Sequence, residues 1–403
     1  MSNYDSDILI IGGGMVGASL AAALAPLSLR VTVVEAKAPR DPGQPSYDDR
    51  STALAYGSRR IIETLGLWPA LESAATPIHG IHVSDRGRFG VTRLDRDEQG
   101  LPALGYVVDN RALGPVLWRA MEQSQVEILC PAGIKAINLK RDCAEVSVST
   151  EDGPVVCNTR LLVVADGARS TTRELLGIGA DITRYEQIAV ITNVTPEKYH
   201  EHVAYERFTD TGPLAFLPMS NGRCSVVWTL PPDEADTALL CDDDQFLSAL
   251  QDAFGHRLGR LTRCGSRHSY PLFLVKAAQI SGERHVLIGN AAHGLHPVAG
   301  QGFNLGLRDV AALADVIADN DDPGDAIALR RYTQWRESDH DRVINLTDGL
   351  VRLFTSDFAP VKLARGAGLA ALDLLGAPRG AFARQTMGLR GRLPRLARGV
   401  PLR

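Results

Sequence analysis

The 403-residue sequence predicts an α/β protein: a parallel-stranded nucleotide-binding domain, an antiparallel sheet interleaved with it along the chain, and a helical C-terminal segment. Three observations predict this. Near the N-terminus a short apolar run passes directly into a glycine-rich turn and an Ala/Leu-rich helix. Two later apolar runs, ending at Asp166-Gly167 and Gly289-Asn290, have the unbroken apolar character of strands covered on both faces. Between them, residues 188–230 alternate apolar and polar, the period of a strand with two different faces. At roughly 150 residues per domain the length suggests two or three domains.

Composition narrows the class. The chain is 45% apolar and 22% charged, ordinary for a globular protein with a large core. No apolar run reaches the roughly 20 residues of a membrane-spanning helix. Asp5 and Asp7 precede Ile8–Ile11, so this run is not a signal peptide. The net charge of −4 argues against nucleic acid as a partner. Six cysteines, at 130, 143, 157, 224, 241 and 264, form no C-x-x-C pair and fit neither a zinc cluster nor a redox pair. They read as free thiols of a reducing compartment, which makes the expected location cytoplasmic.

Taken in order, Asp7-Ile-Leu-Ile-Ile11 is a buried parallel strand, and Gly12-Gly-Gly14-Met-Val-Gly17 follows at once. Ala18 to Ala25 is a helix that stops near Pro26, and Val31–Val34 is a second strand ending at Glu35. Gly12 permits the tight turn, Gly14 lets a pyrophosphate approach the backbone, and Gly17 lets helix and strand pack closely. The helix N-terminus offers free N–H groups to phosphates. Glu35, 21 residues beyond Gly14, stands where an acid accepts hydrogen bonds from ribose hydroxyls. An acid there disfavours a 2′-phosphate, leaving FAD or NAD as the resident nucleotide.

The strand Arg160–Ala165 ends in Asp166-Gly167, with Ser170, Thr171 and Thr172 available to cap a helix. Arg284–Ile288 is another such strand. It leads through Gly289, Asn290 and His293 into the glycine-rich loop Pro297–Gly302, and a helix starts near Gly302 and continues through Leu313 and Ile317. In the alternating region, Ile188–Thr192, Leu214–Pro218 and Ser225–Leu230 read as antiparallel strands with one wet face, and Asp233–Asp244 as an acidic, solvated helix-and-loop region. A ligand between this sheet and the nucleotide domain would occupy a domain interface, with Phe216, Met219 and Trp228 as liners or as ordinary core. His293 with His296, and His200 with His202, have spacings that permit metal binding but lack acids or cysteines at matching spacing, so they read as structural. From Ala359 to Arg403 nine cations face the single acid Asp373, a surplus of eight. This basic stretch also carries Leu369, Leu372, Phe382, Met387 and Leu393. It can lie on an anionic membrane surface, dock partner proteins, or form a lid with a solvated arginine face.

These segments resemble the class A FAD-dependent aromatic hydroxylases, the para-hydroxybenzoate hydroxylase-like group. That family has an N-terminal GxGxxG, a central Asp-Gly motif and a late Gly-Asp motif followed by P-x-x-G-x-G, and all three occur here in order. The resemblance implies a Rossmann-like FAD-binding domain in residues 1–70, 101–180 and 276–335. It implies a substrate domain in 71–100 and 181–275, and a tail in 336–403. Asp166 is implied to lie near the flavin or, on its residue type alone, to be an N-cap. Position 290 would bond the ribitol chain, and the Gly300–Asn304 backbone, including Gly302 and Asn304, would face the flavin pyrimidine ring. Arg50, in Asp48-Asp-Arg50-Ser-Thr-Ala-Leu54, resembles a flavin-contacting segment, with a surface pair to Asp48 or Asp49 as the plain alternative. Arg111 resembles a second FAD-contacting arginine, with a helix-end cap as its alternative. The family usually has Asp at position 290; Asn290 still donates and accepts hydrogen bonds.

The run from Gly289 to Asp309, with Gly391–Gly399, is more similar to one branch, the 2-polyprenyl-6-methoxyphenol hydroxylases of ubiquinone biosynthesis. That branch implies ring hydroxylation of a prenylated phenol with NAD(P)H and O₂, through a flavin C4a-hydroperoxide in a pocket that stays dry. Only one dinucleotide fingerprint is present, so NAD(P)H is expected to bind transiently. No side chain is an evident acid or base for the phenol; Pro297, Gly300 and Gly302 are the expected wall beside the reacting flavin atom. A prenyl-chain reductase and a low-turnover FAD-binding subunit of a quinone-biosynthesis assembly remain as alternatives. The tail's expected place is the inner face of a membrane, or other quinone-biosynthesis proteins.

Overall fold

The computed structural model describes residues 4–39, 50–355 and 358–403. Asp48 and Asp49, the surface alternatives for Arg50, lie outside the described residues. The strand Ser6–Ile11 runs parallel between Val31–Val34 and Gly153–Val164, with Ile10 opposite both Val33 and Val163. Glu127–Leu129 and His285–Leu287 extend the parallel sheet on either side. Every residue of Val31–Val34 is buried, because both faces of this sheet are covered. One face takes the helices Met15–Leu24, Asn110–Glu122 and Gln301–Ala318 over Ile8, Ile10 and Val163. The other packs Leu9, Ile11, Leu162 and Val164 against Ala144, Val146 and Val148 of an antiparallel hairpin.

The second sheet has nine strands. Its centre is Ala180–Pro196, Cys224–Leu230, Gly212–Pro218 and Val203–Thr209, antiparallel in that order. Gly80–Asp85 joins in parallel beside Val203–Thr209, followed by Val91–Asp95, so two strands from far upstream complete it. Ala75–Ile78 goes elsewhere, into a three-stranded sheet with Gly105–Asp109 and Ser51–Ala55.

The expected wet face is absent from the central strands. Val190, Leu214, Phe216, Val226 and Trp228 pack beneath the helices Pro232–Leu240 and Asp243–Phe254, and Phe216 stacks on Phe254 at 3.8 Å. Those helices are acidic only outward; Ala235, Ala238, Phe246 and Leu250 are buried. The alternate residues, Ala189, Ile191, Ala215, Leu217 and Val227, face a cavity instead.

The long helix Ala326–Thr355 crosses Gln301–Ala318, and Ala359–Leu374 and Gly376–Thr386 follow it. The junction of the first two is built on Asp309, whose side chain is 0% exposed. Its Oδ2 accepts from the Gly289 N–H at 3.1 Å and from His293 Nε2 at 2.6 Å. Its Oδ1 accepts from Arg336 Nε at 2.8 Å and His340 Nε2 at 2.6 Å. Burial alone would raise the Asp309 carboxyl, but His340, His293 and Arg336 hold it well below the usual range. Burial pulls the His340 imidazole down, with Asp309 opposing.

Replacing Asp309 by Ala removes one of the two carboxylates that answer the buried Arg336 and leaves two imidazoles and the Gly289 N–H without their acceptor, a change of the kind that costs about 3–5 kcal/mol at buried ion pairs. The expected outcome is a lower denaturation midpoint for Asp309→Ala; an unchanged midpoint would show that the junction contributes no stability.

Candidate functional site

A cavity of about 830 Å³ lies between the C-terminal ends of the parallel strands and the inner face of the nine-stranded sheet. Gly12, Gly14, Glu35, Arg50, Asp166, Asn290, Pro297, Gly300, Gly302 and Asn304 all stand on its wall. The expected residues therefore converge from six separate chain segments. Gly17, Gly289 and Arg111 are not on the wall. Gly17 acts one layer back: a Cβ there would collide with the Gly12 carbonyl oxygen. Gly289 turns the chain at φ +58 and donates its N–H to Asp309. Arg111 is exposed at the start of the Asn110–Glu122 helix. The adjoining Asn110 reaches the wall instead and accepts from Thr52 Oγ1 at 2.7 Å.

The local geometry follows from the turn residues. Gly12 has φ +101, and a Cβ there would lie 2.6 Å from the Ala165 oxygen, so only glycine fits. Glu35 is buried and already accepts from Gly13 N–H at 2.6 Å and Lys37 N–H at 2.9 Å. It braces the glycine turn as well as presenting a carboxylate to the cavity. Asp166 accepts from the Thr172 N–H at 3.1 Å, while Ser170 caps the Thr171–Leu175 helix by accepting from Arg173 N–H at 2.9 Å. The helix cap is thus Ser170. Asn304 fixes the late loop: Oδ1 accepts from Ala55 N–H at 2.8 Å, and Nδ2 donates to Ala53 O at 2.8 Å and Gly300 O at 2.7 Å. Its amide is committed to the protein. The loop itself needs two left-handed residues, Ala299 at φ +59 and Gly300 at φ +58; alanine in that region gives no signal in the sequence.

The residues present fit an extended nucleotide. Neither Met15–Leu24 nor Gln301–Ala318 has a side-chain cap, so the first-turn N–H groups at Gly14 and Gly302 remain available. Asp166 Oδ1 is buried without a partner. A Cβ at Gly302 would meet only Asn290 Oδ1, at 4.0 Å, so the wall leaves room there that a ligand can fill.

The expected liners Phe216 and Trp228 face the helices on the other side of the sheet, and Met219 packs with Ile78, Val107, Ala204 and Leu217. Period two sorts residues into two faces but does not say which face meets the cofactor. The tail closes one end of the cavity with Leu369, Leu372, Phe382 and Met387. Several of its cations are answered by acids of the body: Arg365 by Asp85 at 3.3 Å, Arg379 by Glu98 at 2.8 Å, and Arg395 by Asp315 at 2.9 Å. Among the described residues no helix is long and apolar enough to cross a membrane.

His293, Asp309 and His340 bring metal-type ligand atoms within 4.8 Å of one another. The acid that His293 lacks in local sequence thus comes from the helix after it. Both imidazoles nevertheless sit at hydrogen-bond distance from a carboxylate that has four donors, and the group reads as a structural junction.

Fold and site together define a class, an oxidoreductase built on one dinucleotide fold with its substrate cavity roofed by a second sheet. The chain matches the family described as FAD binding domain over residues 5–347, and it belongs to that family. It is an FAD-dependent monooxygenase of the class A aromatic hydroxylase type. It is 40% identical to the ubiquinone hydroxylase UbiL of Rhodospirillum rubrum, over 98% of this chain and 94% of that protein. It is 32% identical to the 3-demethoxyubiquinol 3-hydroxylase of Escherichia coli, over 93% and 97%. The crystal structure of p-nitrophenol 4-monooxygenase PnpA from Pseudomonas putida superposes with a TM-score of 0.79 at 19% identity, covering 96% of this chain and 98% of that one.

Two glycine substitutions separate binding from folding. Gly302→Val is expected to leave the denaturation midpoint of the FAD-free protein unchanged while FAD no longer co-purifies, because the new side chain enters open cavity. Gly12→Val is expected to lower that midpoint as well, because its Cβ meets backbone. Full flavin occupancy in Gly302→Val would overturn the assignment of this wall.

Proposed function

We propose that this chain hydroxylates the aromatic ring of a polyprenylated phenol in ubiquinone biosynthesis, using FAD, NAD(P)H and O₂. The names of its relatives support the pathway. The cavity supports the substrate class. From the Pro297–Gly302 loop an apolar wall continues along Ala215, Leu217 and Ile81 to Leu369, Leu372 and Phe382. A ring seated at the loop would leave room along this wall for an apolar chain, whose burial contributes roughly 0.8 kcal/mol per CH₂.

FAD, when bound, supplies the activation of oxygen; one atom enters the ring and NAD(P)H provides the two electrons that reduce the other to water. Gly12, Gly14 and the two uncapped helix ends would hold the dinucleotide, and Asp166 and Asn290 would bond its polar edge. The apolar wall excludes water around the reacting ring.

The observation that carries the reading is Glu206, which the sequence analysis missed. It stands on the cavity wall in the Val203–Thr209 strand, opposite Ala215 and Val83 on the neighbouring strands. Burial pushes its carboxyl up to about 7, with the Ala299 backbone opposing. Ala299 belongs to the loop expected beside the flavin. Glu206 therefore presents, on the substrate sheet and facing the same cavity as that loop, a carboxyl raised to about 7. As a carboxylate it would accept the proton of the phenol hydroxyl, which enriches the ring in electron density and favours its attack on an electrophilic oxygen.

The sign follows. The base is the deprotonated form, so kcat/KM should rise as pH passes upward through about 7. Glu206→Gln should lose that rising limb and about 10²-fold in kcat/KM, a typical general-base effect, with FAD still bound. Because the folded carboxyl is raised from 4.5 to about 7, its burial costs stability progressively between those pH values and fully above them, so Glu206→Gln should also be the more heat-stable protein at pH 8. A variant that keeps the wild-type pH profile would remove Glu206 from the chemistry.

The function itself is tested by NAD(P)H oxidation in the presence of a prenylphenol. Stimulated turnover under ¹⁸O₂, with one labelled oxygen in the ring, is expected. FAD-bound protein whose oxidase rate ignores every prenylphenol offered would overturn the proposal.

A further inference from the structure

A second cavity, of about 450 Å³, lies between the Ala326–Thr355 helix and the C-terminal segment 390–397. It shares no lining residue with the nucleotide and substrate cavity. Six guanidinium groups line it, from Arg308, Arg331, Arg336, Arg342, Arg390 and Arg392, against one carboxylate, Asp339. From the sequence these arginines lie in three separated segments, which is why no basic patch is legible there.

Two of the six are among the buried residues of the chain, Arg308 at 5% and Arg336 at 4% exposure. Both draw on the same carboxylate: Arg308 Nε and Arg336 Nη2 each lie 2.8 Å from Asp339 Oδ2. Arg336 is further answered by Asp309. Arg308 is not. Its Nη1 and Nη2 are buried with no hydrogen-bond partner, and the Nε of Arg342 is in the same condition. Burial pushes the Arg308 guanidinium down from its ordinary value in spite of Asp339. The rim is fixed as well: Arg392 lies 4.2 Å over the Trp335 ring, and Trp335 Nε1 donates to Arg392 O at 3.0 Å.

We infer that this cavity is a binding site for a phosphate-bearing anion. Planar guanidinium forks pair bidentately with phosphate oxygens, and a buried cation without a full complement of acceptors gains most from such a ligand. The anion would be gripped by Arg308 and Arg342 from the helices and by Arg390 and Arg392 from the C-terminal segment. That segment leaves Met387, part of the substrate-cavity wall, only three residues before Arg390. Occupancy would therefore pin the piece of chain that closes the substrate cavity. The same chemistry is offered by a phosphate on a free solute and by the phosphate of a lipid headgroup.

The probe is pyrophosphate, titrated calorimetrically into the full-length FAD-loaded protein and, in parallel, added to thermal unfolding runs against sodium chloride of equal ionic strength. A saturable isotherm and a raised Tm are expected, neither reproduced by chloride. Arg342→Gln/Arg390→Gln should weaken binding by roughly tenfold or more while FAD content is unchanged. The Lys/Lys version at the same positions keeps the charge, loses the fork and should fall between. Co-sedimentation with phosphatidylcholine vesicles containing phosphatidic acid separates the sources. Vesicle binding that pyrophosphate displaces and the Gln/Gln variant lacks identifies a headgroup; pyrophosphate binding without vesicle binding identifies a free solute. No isotherm with the wild-type protein, or an isotherm of equal strength in the Gln/Gln variant, would overturn the inference.

Discussion

A carboxylate removed from water must be answered by donors, and at Asp309 the answer decides how three parts of the chain meet. Its acceptors take the Gly289 N–H, two imidazoles and a guanidinium, from the strand-end turn, the short strand after it and the Ala326–Thr355 helix. Through Gly289 this fixes the turn that carries Asn290 to the cavity wall. Through its own helix it fixes the Gln301–Ala318 N-terminus, whose free N–H groups face the same cavity. Through Arg336 and His340 it fixes the helix from which the C-terminal segments depart. The cofactor end, the loop and the lid are thus placed by one buried anion, and its depressed carboxyl pKa records the strength of the answer.

With that junction fixed, the loop between Pro297 and Gly302 has little freedom left. Asn304 lashes it to the Ser51–Ala55 strand, and two consecutive left-handed residues bend it toward the nine-stranded sheet. Glu206, a carboxyl on the opposite sheet, faces the same cavity as this loop. A group of that kind can titrate near neutrality only because the surrounding wall is apolar.

Much of the floor was legible in the sequence because its signals are local. Val31–Val34 and Leu161–Val164 are unbroken apolar runs, as both-face burial demands, and Gly12 and Gly17 occupy positions where a Cβ has no room. The roof was legible only as strands. Alternation separated Phe216 and Trp228 from Ala215 and Val227 but left the choice of face open; of the two readings kept for the aromatics, ordinary core is the one the structure shows. Glu206 was illegible for the same reason: its meaning depends on strand phase and on a loop far along the chain. His340 reaching Asp309 is likewise a tertiary fact, without a spacing that announces it.

The tail shows the same limit in electrostatic form. A surplus of eight cations after Ala359 invites a reading of surface potential; Arg384, Arg390, Arg392, Arg398 and Arg403 are exposed, but three others are spent on acids of the body. Arg365, 4% exposed, meets Asp85; Arg379 meets Glu98; Arg395 spans Asp315 and Asp319. The partly exposed pairs hold little energy individually, but the buried Arg365–Asp85 contact cannot be broken without stranding a charge. The tail is therefore ion-paired to an acidic body, which positions Leu369 and Leu372 over the cavity. A count of charges along the chain gives the field at the surface only after the internal pairs are subtracted. What survives subtraction includes Arg390 and Arg392, which approach the half-answered guanidinium of Arg308.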